Sequence, residues 1–124
     1  MEQLSVEVAE ALRKVRAQRQ WKPGRDIAHL RKRQRRGHLL AEAAMETYNQ
    51  LIQNLVHAPD SLTYRYPVGE HSYYAVRGKV EQREWLVIFD AQGILETAFP
   101  PTDIEGYLTR QGFEYVGTVG EILP

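Results

Sequence analysis

The spacing of apolar residues changes near the middle of the chain. Leu4, Val8, Ala11, Leu12 and Val15 recur at intervals of three and four. They share one stripe of a helix predicted over about residues 5–20, and Pro23-Gly24 breaks it. A second helix is predicted over residues 26–36, with Asp26 as its N-cap, Ile27 and Leu30 inward and a run of bases outward. Gly37 interrupts or kinks the chain beyond it. The third helix has the clearest stripe, Leu40, Ala44, Tyr48, Leu51, Ile52 and Leu55, and Pro59-Asp60 stops it.

Beyond residue 60 the period shortens to that of strands. Residues 61–67 read as an edge strand, because Pro67 cannot donate to a ladder. After a turn at 68–70, the strand 71–80 has two different faces. Ser72, Tyr74, Val76 and Val80 lie on one; His71, Tyr73, Arg77 and Lys79 lie on the other. The segment 84–90 contains Trp-Leu-Val-Ile-Phe, apolar on both faces, and is predicted to be central. Asp90-Ala91-Gln92-Gly93 turns the chain into a last strand, 94–99, ended by Pro100-Pro101. Short turns between these strands imply an antiparallel meander. Asp103 is expected to cap a short helix to about Arg110, closed by Gly112, before an extended segment, FEYVGTV. The expectation is a single α+β domain, N-terminal helices on a sheet of roughly four antiparallel strands. Within it, residues 1–24 form a helix and linker and residues 25–124 the core.

Composition narrows the function classes. The chain has 124 residues and no cysteine, which removes disulfides, zinc-thiolate sites and thiol catalysis. Its first residues include acids and no continuous apolar run, unlike a signal peptide. No stretch approaches the roughly 20 apolar residues of a membrane span, so a soluble, cytoplasmic protein is expected. The net charge of zero conceals a segregation. Residues 11–40 hold eleven Lys or Arg against the single acid Asp26, a net of +10, and the rest of the chain carries −10. A surface of that kind attracts phosphate or another acidic surface, unless the acidic half of the same fold neutralises it.

No phosphate loop, GxSxG elbow or HExxH pair is present. The chemistry on offer is a polar constellation. His71, Tyr73, Arg77 and Lys79 share a strand face, and Thr97 on a neighbouring strand joins them if the register allows. RNA cleavage without a metal needs a base for the ribose 2′-hydroxyl, a cation for the phosphate and an acid for the leaving oxygen. Histidine suits the first or last, Arg77 the second, and Tyr73 or Lys79 could add a hydrogen bond. A wet sheet face is the plainer explanation of the same pattern. His29 and Arg33, four apart, face the same way on a helix, whereas His38 joins them only if Gly37 bends the chain. Tyr64, Tyr66 and Tyr73 could stack on unpaired bases if exposed; Tyr74 and Trp85 are expected in the core.

From His29 to Pro101 the chain resembles a known superfamily. "DIAHLRKRQ", a helix ending "LIQNLVHAPDSL", and "HSYYAVRGKV…EWLVIFDAQGILETAFPP" are similar to the barnase/EndoU/colicin/RelE-like nucleases, above all phage-encoded and polymorphic-toxin members. The likeness spans roughly 70 of the 124 residues. It implies N-terminal helices on a four-stranded antiparallel sheet and metal-independent cleavage of tRNA or mRNA, with no cofactor. It points to His29 with Arg33, to Tyr74 and Arg77, and to Thr97 as site residues. Members often carry a second histidine in the early helix, where this chain has Gln34. Arg25, Arg31, Lys32, Arg35, Arg36 and Lys79 are the expected RNA contacts, and an acidic antitoxin or immunity protein is a candidate second partner. Two other readings use the same basic surface: a non-catalytic module binding RNA or protein, and a phage-associated adaptor.

Overall fold

The computed structural model describes residues 2–18 and 20–124. The elements run α1 (Glu2–Gln18), β1 (Gln20–Trp21), α2 (Arg25–Arg35), α3 (Met45–His57), β2 (Leu62–Val68), β3 (His71–Val80), β4 (Arg83–Asp90), β5 (Ile94–Phe99), α4 (Ile104–Gln111), β6 (Glu114–Thr118) and α5 (Val119–Ile122). The class is α+β, as the change of period predicts. Arg19, inside the first predicted helix, lies outside the described residues. Among the described residues, no helix is long and apolar enough to cross a membrane.

The strands form one sheet in the order β1-β5-β4-β3-β2-β6. The predicted meander is its centre, β2 to β5, all antiparallel. Two short strands extend it. β1 pairs in parallel with β5 through only two residues, too few to leave a periodicity in the sequence. β6 pairs with β2 over Leu62–Arg65, so β2 is not the edge strand that Pro67 suggested. The proline is tolerated because β6 stops short of it, leaving no donor required on that side.

Alternation along β3 and β4 sorts two cores onto the two sheet faces. Tyr74, Val76, Trp85, Val87 and Phe89 pack beneath α1 and α3 with Val8, Leu12, Val15, Tyr48 and Ile52. Ala75, Leu86 and Ile88 pack beneath α4 with Ile104 and Leu108. Full burial of a side chain such as Leu12, Ile52 or Phe89 stabilises by roughly 1.5–3 kcal/mol. Gly78 lets α3 approach closely, since a Cβ there would stand 2.8 Å from the Leu55 side chain.

The early helices depart from expectation in two places. α2 starts at Arg25 after Gly24, and the Asp26 carboxylate accepts from the Ile27 N–H at 2.9 Å instead of capping the helix. At 100° per residue its inward stripe is His29, Leu30 and Arg33, which carries Ile27 outward to 52% exposure. α3 starts only at Met45, so Leu40 and Ala44 precede it, and Leu40 is 71% exposed. The residues between α2 and α3 make tight turns instead of continuing a helix.

Candidate functional site

α2 runs beside β5, beyond the two residues where β1 covers that edge. Its C-terminal end decides the local chemistry. Gly37 has φ +71°, the left-handed conformation that closes a helix. The Gly37 N–H donates to the Gln34 carbonyl at 3.0 Å and the His38 N–H to the Arg33 carbonyl at 2.8 Å. These are the two bonds of a Schellman motif, which brings the residue after the glycine against the residue four before it. Here those residues are His38 and Arg33.

Arg33 is only 3% exposed. Its guanidinium lies 5.6 Å from the centre of the Phe99 ring, and its Nη1 donates to Nδ1 of His38 at 3.0 Å. A guanidinium can only donate, so His38 Nδ1 is unprotonated and the ring carries its proton on Nε2. Among the described residues, Arg33 Nε has no partner and no carboxylate pairs with this arginine. Burial, opposed by the nearby Tyr48, lowers its proton affinity. Burial also lowers the pKa of His38, and the charges of Arg33, Arg83 and Arg36 lower it further. The ring meets Trp85 edge-on, centroids 6.3 Å apart.

One turn earlier, His29 Nδ1 lies 3.2 Å from Oγ1 of Thr97 on β5. The imidazole stacks on Trp21 at 5.8 Å, and the Trp21 indole N–H donates to Asn49 at 2.8 Å. Tyr48 continues this aromatic contact and donates its hydroxyl to the Ala98 carbonyl at 2.5 Å. Burial lowers the His29 pKa, as do the charges of Arg33, Arg25 and Lys32, with the Glu96 carbonyl opposing. Two histidines are thus held toward their neutral forms on either side of one buried cation.

The other expected site residues are placed elsewhere. Tyr74 and Arg77 point to opposite sheet faces, as strand alternation requires and the resemblance did not. The Tyr74 hydroxyl donates to Glu7 at 2.6 Å, an acceptor it shares with Arg65. Arg77 forms a two-pronged pair with Glu84 at 2.8 and 3.0 Å, and reaches Glu105 on α4 at 2.8 Å. Its face is covered by α4, so most of it is not a wet surface. Thr97 shares that face but stands two strands from β3, about 10 Å at the usual sheet spacing. His71 is exposed at the start of β3, opposite Val68, and Lys79 is exposed near its other end. Tyr73 comes nearest to joining the group. Lys22 lies 5.6 Å from its ring centre and pairs with Glu96, the residue before Thr97.

The single constellation expected on β3 is therefore divided. His29, Arg33 and Thr97 meet along α2 and β5, without His71, Tyr73, Tyr74, Arg77 or Lys79. His38 joins them, which position along an unbroken helix could not show. Gly37 was the available signal, since a glycine at that place makes the following residue fold back. Arg25, Arg31, Arg35 and Arg36 are exposed and Lys32 half-buried. Among the described residues, none of these five pairs with a carboxylate, so the acidic half of the chain does not neutralise them there. Among the described residues, no three His, Cys, Asp or Glu are grouped to hold a metal ion. Compared with protein-family models, curated proteins and solved structures, the chain gave no match.

Proposed function

We propose that the protein is a ribonuclease working through side chains alone, with its reacting group at His29. The observation that carries this reading is the pairing of two histidines, each disfavoured from protonation, around buried Arg33 and beside bases that no carboxylate among the described residues pairs. In this reading His29 carries its proton on Nδ1, beside Thr97 Oγ1, and the opposite nitrogen takes the proton from a ribose 2′-hydroxyl. The 2′-oxygen attacks phosphorus, the P–O5′ bond breaks, and the departing oxygen takes a proton from water. The products are a 2′,3′-cyclic phosphate and a 5′-hydroxyl. Arg25 and Lys32, whose charges bear on His29, hold the phosphate. Arg33 is too buried to touch RNA, and acts by orienting His38 and disfavouring protonation of both rings. The substrate is tRNA or mRNA in the cytoplasm, and an acidic inhibitor protein would meet the same face of α2.

The test is incubation of purified protein with total tRNA in excess chelator, beside H29A. Fragments ending in cyclic phosphate with the unmutated chain, and intact RNA with H29A, are expected. Intact RNA with both, together with salt-sensitive binding, would leave a non-catalytic module.

A further inference from the structure

His38 also lines a groove of about 1020 Å³ between the 36–44 turns, α3 and the β3–β4 hairpin. A space of this order admits a nucleotide-sized ligand. Leu39, Leu51 and the edge of Trp85 give it an apolar floor, and Gln50 and Asn54 line it from the exposed side of α3. Gln50 Nε2 donates to Asn54 Oδ1 at 2.9 Å. Among the described residues, the Gln50 side-chain Oε1 and the Asn54 side-chain Nδ2 then stay unpaired, an acceptor next to a donor. Exchanging oxygen and nitrogen in both amides still leaves one of each. The Watson–Crick edge of each nucleobase also sets a donor beside an acceptor, and unpaired RNA bases are read on that edge.

Charge gives the groove a direction. Glu46 and Glu81 line part of it and disfavour an anion there. Arg83 also lines it, and its charge and that of Arg36 bear on His38. With Nδ1 taken by Arg33, His38 has its Nε2–H left to donate. The hairpin beside this end turns through Glu81 and Gln82, both at positive φ (51° and 69°), a conformation that non-glycine residues adopt at a cost.

We propose that this groove seats one unpaired nucleobase of single-stranded RNA. The base edge pairs with Gln50 and Asn54, its ring lies on the Leu39–Leu51 floor, and its phosphate meets His38 and Arg83. The two amides can meet either polarity of that edge, so the enzyme's base preference comes from how each ring fills the groove over Leu39 and Leu51 while they hold its edge. This rests on the ribonuclease reading, because Arg33 bonds His38 in the groove while its charge bears on His29.

Two measurements on the full chain test it. The first follows cleavage of single-stranded homopolymers of A, U, C and G by the unmutated protein and by Q50A/N54A. Both amides are exposed, and an unchanged melting midpoint checks that the variant folds. The unmutated chain is expected to favour one homopolymer, and the variant to lose about tenfold of that preference through a higher KM. An unchanged preference, or none at the outset, overturns the proposal. The second titrates the four nucleoside 5′-monophosphates, following amide resonances of α3 and the 36–44 segment. Saturable shifts that Q50A/N54A weakens support the groove, and their absence overturns it. Should RNA stay intact, the cleavage reading falls and the titration alone decides whether the groove takes a nucleotide.

Discussion

Arg33 and Arg77 both lie in polar clusters against this sheet, yet their electrostatic situations are opposed. Arg77 has a two-pronged bond to Glu84, another to Glu105 and a contact with the Tyr64 hydroxyl at 3.3 Å. These partners raise its proton affinity above that of a free guanidinium, despite some burial. Arg33 is more deeply buried, bonds one histidine, has no partner for Nε among the described residues, and has its proton affinity lowered by burial. A guanidinium saturated by carboxylates fastens one element to another, here α4 to the sheet, and keeps little field for a ligand. One held without a carboxylate costs stability and keeps its field, which falls on His29 and His38. On the proposed reading, the contrast separates a structural arginine from one that serves the site within a single small fold.

Chemistry should break that comparison most sharply. Removing a general base typically costs 10²–10⁴-fold in rate, so H29A is expected to lose about that much cleavage of RNA. R77M, normalised for folded protein, should stay within about twofold of the unmutated rate, because the Arg77 cluster takes no part. Equal losses in the two variants would dissolve the distinction.

Stability should show the reverse order. R77M strands two carboxylates and is expected to lower unfolding free energy by roughly 1–3 kcal/mol in urea titrations. R33M removes a buried charge that lacks a carboxylate and fills much of the same space, so its loss should be smaller. A larger loss in R33M than in R77M would mean that Arg33 is chiefly a structural residue.

G37A isolates the bend. A Cβ at this position meets nothing within 4 Å, so the cost is backbone strain at φ +71°, about 1 kcal/mol. Because the bend presents His38 to Arg33, a lowered cleavage rate and a raised His38 pKa are expected, the latter read by NMR titration.

The smallest effect concerns pH. His29 and His38 titrate lower when folded than their ordinary 6.5. As pH falls below about 6.5 the unfolded chain takes up protons that the folded chain refuses. Stability should therefore be full above that value and decline below it, until the folded histidines protonate. Urea unfolding at two pH values on either side should show the decline in the unmutated chain and a shallower one in R33M.

Much of the fold was legible because local periodicity reports burial. The strands from 62 to 99, the turn at Gly93 and the helix capped by Asp103 rest on alternation and turn chemistry that tertiary contacts did not override. The Asp103 side chain accepts from the Gly106 N–H, and Gly112 closes the helix at φ +88°. The candidate site was less legible. The same alternation that paired His71 with Arg77 on one face could not say that α4 covers it, or that Glu84 and Glu105 await the arginine. Leu40 belonged to an apolar stripe in sequence and to exposed turns in space, since spacing cannot tell a helix from a turn that happens to share its period.

Alone, the chain determined where bases accumulate, which strands are amphipathic and where glycine lets the backbone reverse, because each depends on neighbours a few residues apart. Tertiary structure decided which cations meet carboxylates and which do not. That partition separates Arg33 from Arg77, and it depends on side chains distant in sequence that only packing brings within hydrogen-bonding distance.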